Sequence, residues 1–208
     1  MSEPMSLRDR KKVRVRDVLE ATALRLFDER GYTATTVEQI AEAAEFSERT
    51  FFRYFRNKED VVFANHAQNL ARLRARLEER LRTESVLRAV RQALLELQDF
   101  EHQRELELAR TRVVQATPAL ADRVFALQAE YEEVIATAVE RSLDGDPDAW
   151  LKAVLIAGAA VSVIALRAEP QVAAVDADHD PTRRMNRAFD LLEEAIHPLL
   201  HATSATRA

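Results

Sequence analysis

Chain-breaking residues are scarce in this sequence. Among 208 residues there are only three glycines and six prolines, a pair that usually makes up about 12% of a protein. Long stretches of the chain can therefore form helices without interruption. Apolar residues recur every three or four positions along them, and no segment shows strand-like alternation bounded by turns. The sequence predicts an all-α fold of about nine helices.

Capping residues divide the chain into these helices. Gly31 is the residue type that often follows a helix end, because a positive φ costs glycine little. Thr36 and Gln39 have the spacing of a capping box, and Ser47 and Asn57 are good N-caps. Three later helices start where a polar residue precedes proline: Thr117-Pro118, Asp146-Pro147 and Asp180-Pro181. The predicted helices cover residues 12–30, 37–44, 48–54, 58–82, 85–99, 103–116, 118–143, 147–168 and 181–201.

Helix lengths and charges indicate two domains. The early helices are short and the later ones are long, so we predict a small module over residues 1–57 and a larger body over 58–208. Residues 1–58 carry 12 Lys and Arg against 10 Asp and Glu, whereas the remainder carries 18 against 25. This asymmetry indicates that the N-terminal end meets an anion. A solvated basic terminus would have the same composition.

Composition and spacing disfavour several classes of protein. The chain has no cysteine, so disulfides and thiolate zinc sites are excluded. Its five histidines lack a metalloprotease spacing, and no phosphate-binding glycine loop or nucleophile elbow is present. We predict no enzyme activity, no metal and no cofactor. The first residues lack a signal peptide, and the longest apolar stretch, residues 153–166, is too short to cross a membrane. We expect a cytoplasmic protein.

The segment over residues 35–55 reads TTVEQIAEAAEFSERTFFRYF. It contains two short helices joined by a turn of about three residues, which is the helix-turn-helix plan. Apolar side chains share one face of each helix: Val37, Ile40 and Ala41 in the first, Phe51 and Phe55 in the second. The other faces of the second helix are then free to enter the major groove of DNA. A plain helical hairpin with a solvated face would show the same pattern.

Residues 14–63 resemble the DNA-binding region of the tetracycline-repressor (TetR) family. The most specific matches are Phe27, Gly31-Tyr32, Thr36-Val37, Ile40-Ala41, the 50–55 stretch and Lys58-Glu59. The resemblance implies an N-terminal three-helix DNA-binding module on a larger ligand-binding and dimerisation body. It implies phosphate contacts from Thr36 and Lys58, and base reading by the third helix. The implied DNA-contact residues are Arg14, Thr36, Ser47, Glu48, Arg49, Thr50, Phe52, Arg53, Tyr54 and Lys58.

Two positions depart from the family pattern. Glu45 stands in the turn of the motif, where the family usually has glycine. If this position has a positive φ, glutamate costs about 1–2 kcal/mol there, and its negative charge lies near DNA. Phe52 stands where many members have tyrosine, so a hydroxyl bond to a phosphate is lost. Packing against a thymine methyl or a sugar remains open to Phe52.

The larger body is expected to bind an effector, although most of its apolar residues suit a simple core better. The segments RTFFRYFRNKEDVVF and TPALADRVFALQAEYEEVIATAVERSL are similar to a TetR subgroup described as regulators with acyl-CoA-like ligands. This resemblance implies a long-chain acyl-CoA as effector; a different lipophilic molecule, or none, stays open. The predicted effector-binding residues are Leu94, Leu97, Leu106, Arg110, Val113, Val124, Leu127, Tyr131, Trp150 and Val154.

The helix predicted over residues 147–168 is apolar on nearly every side, so it must be buried on every side. A partner subunit is one way to bury its outer face. The last helix repeats apolar residues at spacings of four, three and four. In the TetR family, the last two long helices form a four-helix dimer interface. The predicted homodimer interface consists of Ala157, Val161, Ile164, Met185, Phe189, Leu192 and Ile196.

These patterns and this resemblance predict a ligand-responsive transcriptional regulator. We expect a homodimer that binds a palindromic double-stranded DNA operator, acts as a repressor on the nucleoid, and is released by a lipophilic effector. Two alternatives remain. One is a regulator of a multidrug-efflux or other catabolic operon that senses a different lipophilic small molecule. The other is an architectural dimer that binds DNA without sequence preference.

Overall fold

The computed structural model describes residues 6–97, 104–165 and 181–201. Within these ranges all regular structure is helical, which confirms the predicted fold class. A short 3-10 helix, Pro118–Leu120, precedes the eighth α-helix. The ten α-helices of the described residues are α1 Leu7–Arg30, α2 Val37–Ala43, α3 Glu48–Tyr54, α4 Lys58–Val62, α5 His66–Arg80, α6 Val86–Glu96, α7 Arg104–Gln115, α8 Ala121–Ser142, α9 Ala149–Ala165 and α10 Pro181–His201.

The caps predicted for the first four helices are confirmed. Gly31 follows α1 with a φ of 87°. The Thr36 hydroxyl accepts from the N–H of Gln39 at 3.2 Å, and the Gln39 side chain accepts from the N–H of Thr36 at 3.0 Å. The side chains of Ser47 and Asn57 each accept from the N–H three residues on. These bonds satisfy donors that helix starts leave unpaired, which allows such short helices to begin where they do.

The start of α1 differs from the prediction. The helix begins at Leu7 rather than at residue 12, because the Ser6 hydroxyl caps it by accepting from the N–H of Asp9 at 3.2 Å. The basic residues between positions 8 and 16 therefore lie on a helix rather than on an irregular arm.

The single helix predicted over residues 58–82 is wrong. It is divided into α4 and α5, and neither glycine nor proline marks the break. The division separates two groups of buried side chains, since Val61 and Val62 belong to one core and Leu73 and Leu77 to another. One predicted helix becomes two, which accounts for ten helices where about nine were expected.

The three proline pairs behave differently from one another. Pro118 opens the 3-10 helix rather than α8 itself, and α9 begins at Ala149, two residues after Pro147. Pro181 is the first residue of α10. Its predicted cap, Asp180, and the predicted end of the preceding helix at residues 166–168 lie outside the described residues.

The first of two compact units consists of Met1–Asn65 and Glu101–Ala121. It contains α1–α4 and α7, and α7 packs against α1 and α4. This division differs from the predicted boundary at residue 57, because α4 and the distant α7 contribute to the same core. That core is formed by Leu19, Ala23, Leu24, Leu26, Phe27, Ile40, Ala44, Phe51, Phe55, Val61, Val62, Val113 and Leu120.

The second unit consists of His66–Phe100 and Asp122–Ala208. Helix α6 packs against α5, α9 and α10, and α9 also packs against α10. Arg91 of α6 joins α10 through three hydrogen bonds. Its Nη1 donates to Asp190 Oδ1 at 2.7 Å, and its Nη2 and Nε donate to Asn186 Oδ1 at 2.7 Å and 3.2 Å. The core of this unit includes Leu73, Leu77, Val90, Leu94, Ile135, Val139, Ile156, Ala160, Met185 and Phe189.

Candidate nucleic-acid interface

The turn between α2 and α3 is a Schellman motif. The N–H of Phe46 donates to the carbonyl oxygen of Ala41 at 2.8 Å, and the N–H of Glu45 donates to the carbonyl oxygen of Glu42 at 3.0 Å. This motif places its central residue in the left-handed region, and Glu45 has a φ of 59°. The positive φ considered for this position is confirmed. Among the described residues, Glu45 alone of the non-glycine residues has a positive φ.

Glu45→Gly is expected to stabilise the protein by about 0.5–1 kcal/mol. The left-handed conformation costs a non-glycine residue about 1–2 kcal/mol, and the greater freedom of glycine in the unfolded chain offsets about 0.4–1 kcal/mol. Urea unfolding followed by circular dichroism measures the difference. Glu42→Gly, inside α2, is the matched control and should lose about 1 kcal/mol. Changes of the same sign in both variants would contradict the strain at Glu45.

Helix α3 has one buried and one exposed face. Phe51 is 0% exposed and Phe55 is 3% exposed, and their ring centroids lie 5.5 Å apart in the first core. Ile40 and Ala41 of α2 are buried as well, as the helix-turn-helix pattern predicts. Thr50 and Tyr54 are half-buried. The side chains that α3 leaves exposed are Glu48, Arg49, Phe52 and Arg53.

Two of the exposed side chains of α3, Phe52 and Arg53, contact neighbouring side chains. Phe52 is 51% exposed. Its ring lies edge-on to the buried Phe51 ring, with the two ring centroids 5.5 Å apart. The Arg53 guanidinium lies 5.0 Å from the centre of the Tyr54 ring, and its Nη2 donates to the Tyr54 hydroxyl at 3.3 Å. At the start of the helix, the hydroxyls of Ser47 and Thr50 lie 3.0 Å apart. Among the exposed side chains of α3, Phe52 and Arg53 therefore have contacts within the protein itself.

Lys58 begins α4, and its ammonium group is bound to the loop between α1 and α2. Nζ donates to the carbonyl oxygens of Tyr32 at 2.6 Å, Thr35 at 3.1 Å and Thr33 at 3.4 Å. It also lies 4.3 Å from the centre of the Tyr32 ring. Burial lowers the pKa of Lys58. No feature of the sequence indicated these bonds.

The basic side chains of α1 have two environments. Arg14 is exposed. Arg16 is half-buried: its Nη2 donates to the carbonyl of Ala64 at 2.5 Å, and its guanidinium lies 5.8 Å from the centre of the Phe55 ring. Arg16 therefore ties α1 to the residues after α4, while Arg14 is accessible to a ligand. Thr36, at the start of α2, is also exposed.

Arg110 of α7 forms a buried ion pair with Glu20 of α1. Its Nη2 lies 2.5 Å from Glu20 Oε1, and its Nη1 donates to the carbonyls of Val61, at 3.2 Å, and Val62. Glu20 is 4% exposed. Burial raises the pKa of the Glu20 carboxyl, and the Arg110 charge opposes this rise. The pair joins three helices of the first unit, and sequence reasoning missed it because 90 positions separate the two residues.

A second ion pair joins the same two helices. Arg112 Nη2 lies 2.6 Å from Asp28 Oδ2, and Arg112 Nε donates to Asp28 Oδ1 at 2.9 Å. The hydrogen bond from Arg112 lowers the pKa of Asp28. This pair is more exposed than that of Arg110, so we assign it a smaller share of the free energy of folding.

The predicted effector-binding residues fall into three groups. Leu106, Arg110 and Val113 belong to the first unit. Leu94, Leu97, Val124, Leu127 and Tyr131 are buried or half-buried in the second unit. Trp150 and Val154, at 64% and 43% exposed, lie on the surface of α9. Tyr131 meets the His66 ring edge-on at 5.3 Å, and His66 Nε2 lies 2.9 Å from Glu130 Oε2.

The predicted dimer residues are mostly engaged inside one chain. Ile164 and Leu192 pack against the core of the second unit, and the side chain of Ile196 lies outside those that the structure describes. The fully buried members of the set are Ala157, Val161, Met185 and Phe189. Among the side chains of α9 and α10 that the structure describes, the large apolar ones that are exposed are Trp150, Leu151, Val154, Leu155 and Leu191.

The residues that the structure describes contain neither a membrane-spanning helix nor a cluster of metal-ligating side chains. No helix among them is long and apolar enough to cross a membrane. Within the same ranges, no three or more His, Asp or Glu side chains are grouped as a metal ion would require.

Two family models match the sequence. The model for bacterial regulatory proteins of the tetR family matches residues 19–64, which include all of α2, α3 and α4. The model for the MftR C-terminal domain matches residues 84–197, more than half of the chain. The chain belongs to the TetR family. The resemblance drawn from the sequence is confirmed for the family, and this TetR-family protein is a ligand-responsive, DNA-binding transcriptional regulator.

Relatives of this TetR-family protein are named as regulators. The HTH-type transcriptional regulator TcmR of Streptomyces glaucescens is 38% identical over 151 residues, or 68% of this chain and 67% of TcmR. A Mycobacterium tuberculosis protein assigned as the mycofactocin biosynthesis regulator MftR is 33% identical over 127 residues, or 59% of this chain and 63% of that protein. The relatives and both matched families are transcriptional regulators rather than enzymes.

Solved TetR-family structures share the fold. SmeT of Stenotrophomonas maltophilia in complex with triclosan has a TM-score of 0.62 and 18% identity, over 87% of this chain and 90% of that one. The fatty acid degradation regulator FadR of Bacillus halodurans has a TM-score of 0.55 and 20% identity, over 85% and 96%. At such identities the likeness supports the fold alone.

Proposed function

We propose that this TetR-family regulator is a repressor that binds a palindromic operator as a homodimer and leaves it when a lipophilic effector binds. The observation that carries the proposal is the exposed face of α3, on a helix whose other face is fixed in a core. A helix held in this way suits the major groove, and a two-fold dimer suits a palindrome. Such a repressor acts in the cytoplasm, on the DNA of the nucleoid.

Each exposed side chain of α3 has a complementary group on DNA. The guanidinium groups of Arg49 and Arg53 pair with O6 and N7 of guanine, and Glu48 accepts from the amino group of cytosine. Phe52 packs against a thymine methyl. These contacts read sequence, whereas contacts to phosphates fix the register. The proposed phosphate contacts are the hydroxyls of Thr36, Ser47, Thr50 and Tyr54 and the guanidinium of Arg14.

Thr36 is suited to a phosphate contact by its bonding in the cap. Its hydroxyl oxygen accepts from the N–H of Gln39, so its hydrogen remains available as a donor. The side chain is exposed. A phosphate oxygen can therefore be bound without loss of the cap that begins α2.

Fluorescence anisotropy with DNA from upstream of the protein's own gene tests operator binding. We expect one palindromic site to bind at least about 1,000-fold more tightly than random DNA at the same salt. Equal affinity for both DNAs would identify the protein as an architectural DNA-binding dimer instead.

Arg49→Ala is expected to relax base preference. Loss of a bidentate guanine pair costs about 1–3 kcal/mol at the operator, while binding to random DNA changes little. Arg25→Ala is the control, because Arg25 is an exposed α1 residue paired with Glu29, and it should change neither affinity. If Arg49→Ala weakened binding equally on both DNAs, Arg49 would be a phosphate contact.

The homodimer interface is proposed on the exposed faces of α9 and α10. Trp150 and Val154 are four residues apart, as are Leu151 and Leu155, so the four side chains share one side of α9. Leu191 of α10 adds a further exposed apolar side chain. An apolar patch of this kind indicates a protein-binding surface, and the two helices are those that the TetR resemblance assigns to the dimer.

Leu155→Glu is expected to convert the dimer to monomers. Leu155 is 59% exposed in one chain, so the variant should fold, but the two-fold interface would then bury two unpaired carboxylates. Light scattering should fall from twice the mass of 23.6 kDa to that mass. Phe125→Glu on α8, where Phe125 is 68% exposed, is the matched control and should remain a dimer. A dimeric Leu155→Glu would place the interface elsewhere.

The effector site is proposed among apolar residues of the second unit: Leu94, Leu97, Leu127 and Tyr131. These four side chains are mainly apolar and suit a lipophilic effector. Arg110, one of the predicted effector-binding residues, is already bonded to Glu20 and to two carbonyls. Two solved proteins of the same fold are titled as a triclosan complex and a fatty acid degradation regulator, and these titles supply compounds to test. A long-chain acyl-CoA is our first candidate.

Release of the protein from operator DNA distinguishes between the candidate effectors. Palmitoyl-CoA added to the operator complex should lower the anisotropy if the effector is an acyl-CoA. Release by triclosan but not by palmitoyl-CoA would favour a multidrug regulator such as SmeT, which is titled the repressor of a multidrug efflux pump. If neither compound acts, both effector proposals fail while operator binding stands.

A further inference from the structure

The loop over residues 31–36, which we call the α1–α2 loop, is held from two sides. On one side the Thr35 hydroxyl, on a residue 1% exposed, donates to the carbonyl of Gly31 at 2.9 Å. On the other side the Lys58 ammonium donates to the carbonyls of Tyr32, Thr33 and Thr35. Four carbonyl groups of this short loop thus have side-chain donors, and one cation supplies three of the bonds.

The bonding capacity of Lys58 is fully used within the protein. An ammonium group has three N–H donors and no acceptor, and three carbonyl oxygens lie within reach of them. The Tyr32 ring, 4.3 Å from Nζ, covers a further side of the cation and attracts it through its π electrons. A direct bond from Lys58 to a phosphate would therefore break one of the bonds that hold the loop.

The α1–α2 loop determines where α2 begins. The loop ends at Thr36, which is the N-cap of α2 and carries an exposed hydroxyl. Helix α2 packs on α1 and α3. A shift of the loop would therefore move Thr36 and change how α2 supports α3.

We propose that Lys58 is a positioning residue for DNA binding, whose ammonium group fixes the α1–α2 loop and the start of α2 instead of contacting a phosphate. The inference rests on the proposed operator binding. It replaces the phosphate contact that the family resemblance implies for this residue.

Salt dependence distinguishes the two roles. A side chain that contacts a phosphate displaces a counterion, so its removal lowers the slope of log affinity against log salt by about 0.9 per contact, or about two in a dimer. Removal of a positioning residue lowers affinity without this change. The variant is Lys58→Met in the full-length protein, with DNA from upstream of its own gene, between about 50 and 200 mM salt.

Arg56→Met is the matched control for charge. Arg56 lies two residues before Lys58, its side chain is 88% exposed, and it pairs with Asp60 rather than with the α1–α2 loop. We expect Lys58→Met to lower operator affinity at least about ten-fold more than Arg56→Met, which corresponds to about 1.4 kcal/mol, with the same salt slope in both variants. A slope lower by about two for Lys58→Met alone would overturn the proposal, and so would equal affinities.

Thr35→Val tests the loop without changing any charge. The Thr35 side chain is buried and cannot touch DNA. The variant loses the hydroxyl donor to the carbonyls of Gly31, at 2.9 Å, and of Leu26 at the end of α1, at 3.3 Å, and keeps all three bonds from Lys58. We expect its operator affinity to fall severalfold with an unchanged salt slope. Wild-type affinity from a variant that circular dichroism shows to be folded would contradict the proposal, even if Lys58→Met fails to fold.

Operator binding by the wild-type protein shows whether this proposal or the proposed function has failed. If it shows no preference for the upstream DNA over random DNA, the operator proposal fails. The salt slopes of Lys58→Met and Arg56→Met are then compared on random DNA, where a phosphate contact changes the slope in the same way. A lower slope for Lys58→Met there overturns the positioning role, and equal slopes with weaker binding by Lys58→Met support it.

Discussion

Phe51→Ala is expected to lower the free energy of unfolding by about 3–5 kcal/mol. Phe51 is 0% exposed and lies in the first core, where its ring is 5.5 Å from those of Phe52 and Phe55. Truncation removes the ring from an apolar site and leaves a cavity that the capped helices around it cannot close fully. The loss is comparable to a large part of the total stability of a typical domain.

Phe52→Ala is the matched control for this prediction. The two residues are adjacent on α3, but Phe52 is 51% exposed, so its truncation should cost less than about 1 kcal/mol. Unfolding is followed by circular dichroism, since the single tryptophan, Trp150, lies in the second unit. Equal losses for the two variants would contradict the assignment of buried and exposed faces, and with it the DNA-reading face of α3.

Arg110→Met is expected to cost about 3–5 kcal/mol at neutral pH. The substitution leaves the Glu20 carboxylate, 4% exposed, without its counter-ion. It also removes the donor to the carbonyls of Val61 and Val62 at the end of α4. Chemical denaturation at pH 7 measures the loss.

The effect of Arg110→Met depends on pH with a defined sign. Burial already raises the pKa of Glu20 in the folded protein above 4.5, and removal of the Arg110 charge raises it further. A group whose folded pKa is raised binds a proton on folding, so its contribution to stability is lost as pH rises through the folded pKa. The deficit of the variant should therefore shrink as the pH falls towards the unfolded pKa of 4.5 and grow as the pH rises through the folded pKa. A deficit independent of pH would show that Glu20 is not its source.

Removal of both charges is the control for this ion pair. In a variant with Glu20→Leu and Arg110→Met, no buried charge is left unpaired, and such replacements are often neutral or stabilising. We expect the double variant to recover most of the stability and to lose the dependence on pH. If it remains as unstable as Arg110→Met, the bonds from Arg110 to the α4 carbonyls are the larger contribution.

The N-terminal helices were predictable because their signals are local. The cap at Thr36 is defined by two residues three positions apart, and the buried face of α3 by two phenylalanines four positions apart. Even the strain at Glu45 followed from the sequence, because a glycine position occupied by glutamate identifies the φ that is needed. Such features depend on neighbours within one or two turns of helix.

The packing of α7 was not predictable in this way. Its amphipathic pattern shows that one face is buried, but no spacing indicates that this face meets α1 and α4. The bond between Arg110 and Glu20 joins residues 90 positions apart. For the same reason Leu106 and Val113 were predicted to line an effector site, whereas the structure places both against the first core.

The sequence also does not indicate which face of α9 is buried. A helix that is apolar on nearly every side has no pattern that distinguishes its inner face from its outer face. Ala157 and Val161 were assigned to a partner but are buried in their own chain, whereas Leu151 and Leu155 are exposed. The bonds of Lys58 at the start of α4 could not be predicted either, because the sequence does not indicate which carbonyl groups its ammonium group contacts.

The first unit is discontinuous along the chain, and this affects its synthesis. Residues up to Asn65 are made before α7, which begins at Arg104 and supplies Val113 to the same core. At about 5–20 residues per second, the ribosome needs about 2–8 s to cross the interval. During that time Glu20 lacks its ion-pair partner Arg110, and the apolar surface of α1 that packs against α7 is exposed. A nascent chain of this regulator therefore completes its DNA-reading unit only after more than half of its length has been translated.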